Sequence, residues 1–216
     1  MSELQELPPE AFLKEDTAPD RIFYAAPRFV THIDARAVMA VTELYRALFP
    51  ADGTILDLMS SWVSHLPRDV AYKEVIGHGM NALELKANPR LTRFFVQDLN
   101  ANPQLPLDPG SFDAAAICVS IQYLQQPVAV MSELARILRA GAPLAITFSN
   151  RCFPTKAVAI WQAMSDEGHG QLVALYLAEA GFSEIEIRTL IAPGQGSDPL
   201  YAVSGRAPLK DRSEFA

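Results

Sequence analysis

Apolar residues recur along this chain with two rhythms, and the segments that carry them take turns. Between Ile33 and Phe49, positions Ala37, Val38, Val41, Leu44, Tyr45 and Leu48 fall three or four residues apart, which sets one stripe on a helix face. Pro50 and Gly53 stop that helix. The same rhythm returns from Pro127 to Arg139, through Val128, Met131, Leu134, Ala135 and Leu138, with Gly141 as its stop. Shorter helices are expected from Asn81, as the cap, to Ala87, from Thr155 to Met164 and from Gln171 to Ala180. Gly168 and Gly170 separate the last two, and Gly181 closes the second.

Between these lie strand-type runs. The first is in the stretch TILDLMSSWV, residues 54 to 63, which leads through Asp57 into the polar turn Ser60-Ser61. YKEVIGHGM reads as a second strand ending at Gly77, and TRFFVQDL as a third. FDAAAICVSI is almost uninterruptedly apolar and suits a central strand covered on both faces. APLAITFSN follows, and SEIEIRTLI and PLYAVSGR can pair as an antiparallel hairpin. Only the piece from Val63 to Tyr72, broken by Pro67, separates the first two strands, so any helix there must be short.

Alternation of strand and helix predicts a doubly wound α/β fold, because parallel strands need crossover connections. Ligands of such sheets bind beyond the carboxyl ends of the strands. Residues 1 to 20, charged and interrupted by Pro8, Pro9 and Pro19, read as a loosely held arm. FYAAPRFVTH follows, and Tyr24, Arg28 and His32 fit either an ordered lead-in or a lid over a site. The expected organisation is an arm and lid over residues 1–32, a domain over 33–206, and a frayed tail over 207–216.

With 216 residues the chain suits one domain, and half its residues are hydrophobic. A net charge of −7 without a basic cluster argues against nucleic acid as a general partner. The acidic start resembles neither a signal nor a transit peptide, no apolar run spans a bilayer, and a cytoplasmic location without membrane attachment is expected. Cys118 and Cys152 are expected as free thiols. No metal ligands are assigned, and no heptad seam speaks to an oligomeric state.

From residue 33 to about 206 the segment order resembles a class I S-adenosylmethionine-dependent methyltransferase of the type 11 kind. ELARILRAGAPLAITF is similar to that family's E-x-x-R-V-L-K-P-G-G followed by a strand. The resemblance implies a Rossmann-like, mostly parallel seven-stranded sheet with the last strand antiparallel, and S-adenosyl-L-methionine as cofactor. ILDLMSS matches the family's first motif, which usually ends D-x-G-x-G, so Asp57 takes the acidic position. Asp98, with Leu99, takes the acidic position beside the adenine; Ser120, Ile121 and Gln122 end strand four, facing the methionine part and substrate.

Two departures stand out. Met59 and Ser61 replace the glycines of the first motif, so the Ser60 and Ser61 hydroxyls must supply what bare backbone supplies elsewhere, or the cofactor must approach differently. At the end of the second strand Gly77 is a candidate cofactor contact, and Gly79 stands where the family has a ribose-binding Asp or Glu, with Met80 and Asn81 as the residues able to compensate. Losing such charged hydrogen bonds, each worth roughly 1.5–3 kcal/mol, weakens cofactor binding about tenfold or more.

For catalysis, His32 is a candidate base alongside His65, and Tyr24 and Tyr123 are candidates to orient an acceptor. Arg28, Trp62, Gln122, Asn150, Arg151 and Lys156 are candidate substrate contacts, Arg151 or Lys156 meeting an anionic acceptor. Three functions fit: methyl transfer to an unidentified acceptor, expected to be a small molecule; a methyltransferase fold that binds a ligand or protein without catalysis; and a nicotinamide-dependent oxidoreductase. The last is disfavoured, because G-x-G-x-x-G is absent after the first strand.

Overall fold

A computed structural model describes Leu4 and residues 7–209. Seven strands run β1 (Thr54–Leu58), β2 (Glu74–Gly79), β3 (Arg93–Val96), β4 (Ala114–Cys118), β5 (Pro143–Ser149), β6 (Ser183–Ile191) and β7 (Leu200–Arg206). The helices are α1 (Asp20–Phe23), α2 (Ala35–Leu48), α3 (Ala82–Ala87), α4 (Pro127–Ile137), α5 (Ala159–Ala163) and α6 (Asp166–Glu179). The strands form one sheet in the order β3-β2-β1-β4-β5-β7-β6, parallel except for β7, which runs antiparallel to both β5 and β6.

Successive residues of a strand point to opposite faces, and the two cores follow that parity. Ile55, Ala114, Ala116 and Ala145 pack with Ala37, Val41, Leu44 and Tyr45 of α2. Leu56, Leu58, Ala115, Ile117, Leu144 and Ile146 pack with Val130, Met131, Leu134 and Ile137 of α4 and with Leu172, Val173, Tyr176 and Leu177 of α6. β1, β4 and β5 are covered on both faces, hence their predominantly apolar sequences and burial along nearly their whole length. Asp34 caps α2 by accepting the Ala37 N–H, and Asn81 caps α3 by accepting those of Leu83 and Glu84.

Four expectations need correction. Gly168 and Gly170 do not break a helix: α6 runs through both, and a Cβ on Gly170 would stand 2.9 Å from Ile187 of β6, so that glycine serves close packing. β2 continues two residues past Gly77. The tail does not fray from Ala207, which is buried and exchanges backbone bonds with Ala142 and Gly141; residues 210–216 lie outside the described residues. Nor is the arm loose where it is described. Leu13 and Asp16 bond the backbone of Ala159 and Thr155, and Lys14, Asp20 and Lys156 form a buried charge network.

The first crossover determines the shape of the site. Residues 59–73 join β1 to β2 without any helix. Side chains satisfy carbonyls there that a helix would otherwise use: Asn88 donates to Ser61 O (3.0 Å), and Arg90 to Pro67 O (3.2 Å) and Val70 O (3.1 Å). Pro67, which lacks an N–H, is compatible with that path and not with a helix interior.

Candidate functional site

At the carboxyl ends of β1, β2, β4 and β5 lies a cavity of about 570 Å³. That volume suits a small molecule or cofactor. Its floor begins with Asp57, buried at the end of β1, whose Oδ2 accepts the Ser60 hydroxyl at 2.6 Å and the Ser64 hydroxyl at 2.5 Å. Burial raises the Asp57 carboxyl above its ordinary range, and the two hydroxyls act against that.

A carboxyl whose pKa rises on folding contributes stability that is present below its unfolded pKa and is lost as pH climbs through the folded one. Asp57→Asn keeps an oxygen for both hydroxyls and removes the charge. It is expected to raise the melting temperature by a few degrees near neutral pH, with the gain shrinking as pH falls toward the ordinary carboxylate value of 3.8. Thermal melts across that range check it; a gain independent of pH would refute the assignment.

After β1 the chain turns sharply. Met59 has φ 57°, the left-handed region that glycine enters without strain, and it occupies the first glycine position of the family motif. What holds the turn is His78: its Nδ1 accepts the Met59 N–H (3.2 Å), its carbonyl accepts the Ser60 N–H (2.6 Å), and its Nε2 meets Gln97 O (3.0 Å). An Nδ1 that accepts requires a neutral ring with the proton on Nε2, and burial depresses the His78 pKa to about 4.

This turn explains the second departure. A Cβ on Gly79 would stand 2.5 Å from Ser60 O, closer than any side chain tolerates. Ser60 main chain thus fills the space above Gly79. The missing glycines and the missing ribose carboxylate are one rearrangement, seen from its two sides.

A second residue with positive φ lines the same cavity. Val119, just past β4, has φ 45°, an outlier for a β-branched side chain, and its N–H reaches Thr147 O at 2.8 Å. Strain of about 1–3 kcal/mol per residue persists where surrounding structure over-determines it, and it clusters at functional sites. Next to it, the Ser120 Oγ is buried without a hydrogen-bond partner.

The segment from α1 to His32 covers the cavity. Asn81 donates to Tyr24 O (2.9 Å) and Ala25 O (3.1 Å), Glu84 accepts the Arg28 N–H (2.7 Å) and the Ser61 hydroxyl (2.6 Å), and the Trp62 indole donates to Val30 O (3.0 Å). Tyr24, Arg28 and His32 all line the cavity. Burial raises the Tyr24 phenol and pushes that of Tyr123 up to about 12, so both stay protonated near neutrality. His32 is held below its usual pKa by burial first and by Arg28, against the pull of Glu84; His65 is lowered by burial.

Most sequence candidates meet here. Met59, Ser60, Ser61, Met80 and Asn81 line one side, Asp98 and Leu99 another, and Ser120, Tyr123, Asn150 and Arg151 the rest. Five do not line it. Gly77 lies within β2 against Leu91, Ile121 and Gln122 are packed in the interior, and Trp62 clasps the lid from outside. Lys156 is fully buried, 3.0 Å from Asp16 and 3.2 Å from Asp20, which keeps it from meeting a substrate. His78, Glu84, Asn100 and Phe153 line the cavity unforeseen. Of these, only Glu84 carried a signal, as a carboxylate in the first turn of the helix that follows β2. Among the described residues no helix is long and apolar enough to cross a membrane.

Residues 61–146 match a family model described as a methyltransferase domain, a stretch that begins at Ser61, past β1. Among solved structures, an Aquifex aeolicus S-adenosylmethionine-dependent methyltransferase is 17% identical, with 80% of this chain and 91% of that one covered at a TM-score of 0.58. Geranyl diphosphate C-methyltransferase from Streptomyces coelicolor, solved with Mg²⁺, geranyl diphosphate and S-adenosyl-L-homocysteine, is 14% identical over 78% of this chain and 80% of that one (TM-score 0.55). The [4+2]-cyclase SpnF is 16% identical over 79% and 81% (TM-score 0.57). No curated protein sequence matches the chain. The fold is that of the class I S-adenosylmethionine-dependent methyltransferases. The family match over residues 61–146 lies within that fold, starting just past β1 and ending in β5.

Proposed function

We propose that the cavity binds S-adenosyl-L-methionine and that the protein transfers its methyl group to a small-molecule acceptor. The observation that carries this reading is the convergence of Asp57, Met80, Asn81, Asp98 and Leu99 on one covered cavity at the switch in strand order. These residues fit the cofactor at its adenine and methionine ends, and the partnerless Ser120 hydroxyl asks for a polar ligand. At the ribose no carboxylate stands at position 79, and the Ser60 carbonyl occupies the space above it.

Bound there, the cofactor supplies an activated methyl on a sulfonium leaving group. The protein's own part is to orient the acceptor and exclude water. Asp98 would meet the adenine, and Leu99 would pack beside it. His32, neutral near neutral pH, can take a proton from the acceptor; Tyr24 and Tyr123, still protonated, can only donate hydrogen bonds to it. The lid closes the cavity through Asn81, Glu84 and Trp62.

One observation favours the second reading, ligand binding without methyl transfer: the Ser60 carbonyl over Gly79, where a ribose-binding carboxylate has no room. About 1 mM S-adenosylhomocysteine separates that reading from the first. A ligand present at 100 times its Kd stabilises by roughly 2.7 kcal/mol, which for a chain this long raises Tm by about 5–10 °C. An unchanged melting curve together with a flat calorimetric titration would overturn the methyltransferase reading.

A further inference from the structure

Arg28 sits in the lid with its guanidinium 4.4 Å from the Phe23 ring centroid and 5.4 Å from that of Phe153. Its Nη2 donates to Phe23 O at 2.9 Å. Its Nη1 is buried with no hydrogen-bond partner. Among the described residues no carboxylate lies within 4.0 Å of this guanidinium: the nearby Glu84 accepts the Arg28 backbone N–H and the Ser61 hydroxyl instead. Arg28 as a whole is half-buried, but a guanidinium N–H held away from water with no acceptor is costly, so it marks a place where a ligand supplies the missing anion.

The other cations around the site are otherwise engaged. Lys14 and Lys156 are buried against Asp16 and Asp20, and Arg151, which lines the cavity from an exposed position, lies 3.8 Å from Asp198. Arg28 alone of these four lines the cavity without an acidic partner. Its rings fix the plane of the fork in advance, and a planar fork suits a carboxylate.

We infer that Arg28 is the carboxylate-binding residue of the cavity, its guanidinium taking its counter-charge from an anionic ligand held beneath the segment that covers the site. The inference rests on the cavity being a ligand site and deepens the reading above. The carboxylate belongs either to the amino-acid end of the cofactor or to the acceptor.

Two ligand pairs, titrated by calorimetry into wild type, Arg28→Gln and Arg28→Lys, test it. S-adenosylhomocysteine is paired with 5′-methylthioadenosine, which lacks the amino-acid end, and phenylacetate with its neutral amide. In wild type the carboxylate-bearing member of at least one pair is expected to bind ten or more times tighter than its partner. Arg28→Gln removes that ratio while leaving the neutral partner's Kd unchanged, and Arg28→Lys, which keeps charge without the fork, retains part of it. Loss in the adenosyl pair assigns the carboxylate to the cofactor; loss in the phenylacetate pair assigns it to the acceptor. No carboxylate preference in wild type, or an unchanged ratio in Arg28→Gln, overturns the inference. Failure of both adenosyl ligands to bind wild type counts against the methyltransferase reading alone, because the phenylacetate pair still reports on Arg28.

Discussion

Gly79→Asp, which puts back the carboxylate that related enzymes use for the ribose, is expected to destabilise this protein and to leave its affinity for S-adenosylhomocysteine no better. The new Cβ would stand 2.5 Å from Ser60 O, and the atom it meets is main chain rather than a flexible side-chain tip. That main chain cannot simply recede, because Ser60 N–H is bonded to His78 O and the preceding Met59 N–H to His78 Nδ1. Overpacking of this kind costs about 1–3 kcal/mol, which lowers Tm by roughly 2–12 °C at this chain length. Melting curves of the two proteins with and without the ligand measure both parts. An aspartate variant as stable as wild type and tenfold tighter for the ligand would mean that the turn is soft.

Lys156→Ala is expected to have the other large effect. This lysine is fully buried, donates to Ala18 O at 2.8 Å and lies between Asp16 and Asp20. Removing one member of a buried pair strands the other, at about 3–5 kcal/mol. Asp20 retains Lys14 at 2.5 Å and Asn100 at 2.8 Å, which places the loss near the lower end, about 3 kcal/mol. Tm should fall by about 6–12 °C. The arm should loosen with it, so limited proteolysis within residues 9–32 should quicken before the rest of the chain is cut. Lys156→Met, which fills the volume without the charge, separates lost packing from lost pairing. If the alanine variant melts as wild type does, the network contributes nothing net.

The fold was legible because its signals are local and repeated. The apolar runs of β1, β4 and β5, the stripes of α2 and α4, and the Asn81 cap each speak for themselves, and their order implies a parallel sheet. What misled were residues whose meaning depends on a distant partner. Gly170 read as a helix breaker, yet its missing Cβ makes room for Ile187, seventeen positions later. Charge and proline made the arm look loose, yet the charges close on Lys156, which read as a substrate contact. At the site, residues set by strand ends, such as Asp57 and Asp98, were found from the sequence. Residues set by the course of a loop were not: His78 reads as an ordinary strand position until Met59 is seen to turn back onto it.

The fit of Ser60 against Gly79 also bears on how such a motif could be regained. Each position limits what the other can become, so the effect of a substitution at 79 depends on the state of 59–61. An aspartate that harms the present background would be tolerated only once glycines at 59 and 61 had let the turn move away. Taken in the wrong order, the same set of changes passes through a poorly folded intermediate. That is sign epistasis between positions some twenty residues apart in sequence, and it makes the order of substitutions, not only their identity, decide whether the pocket can be rebuilt.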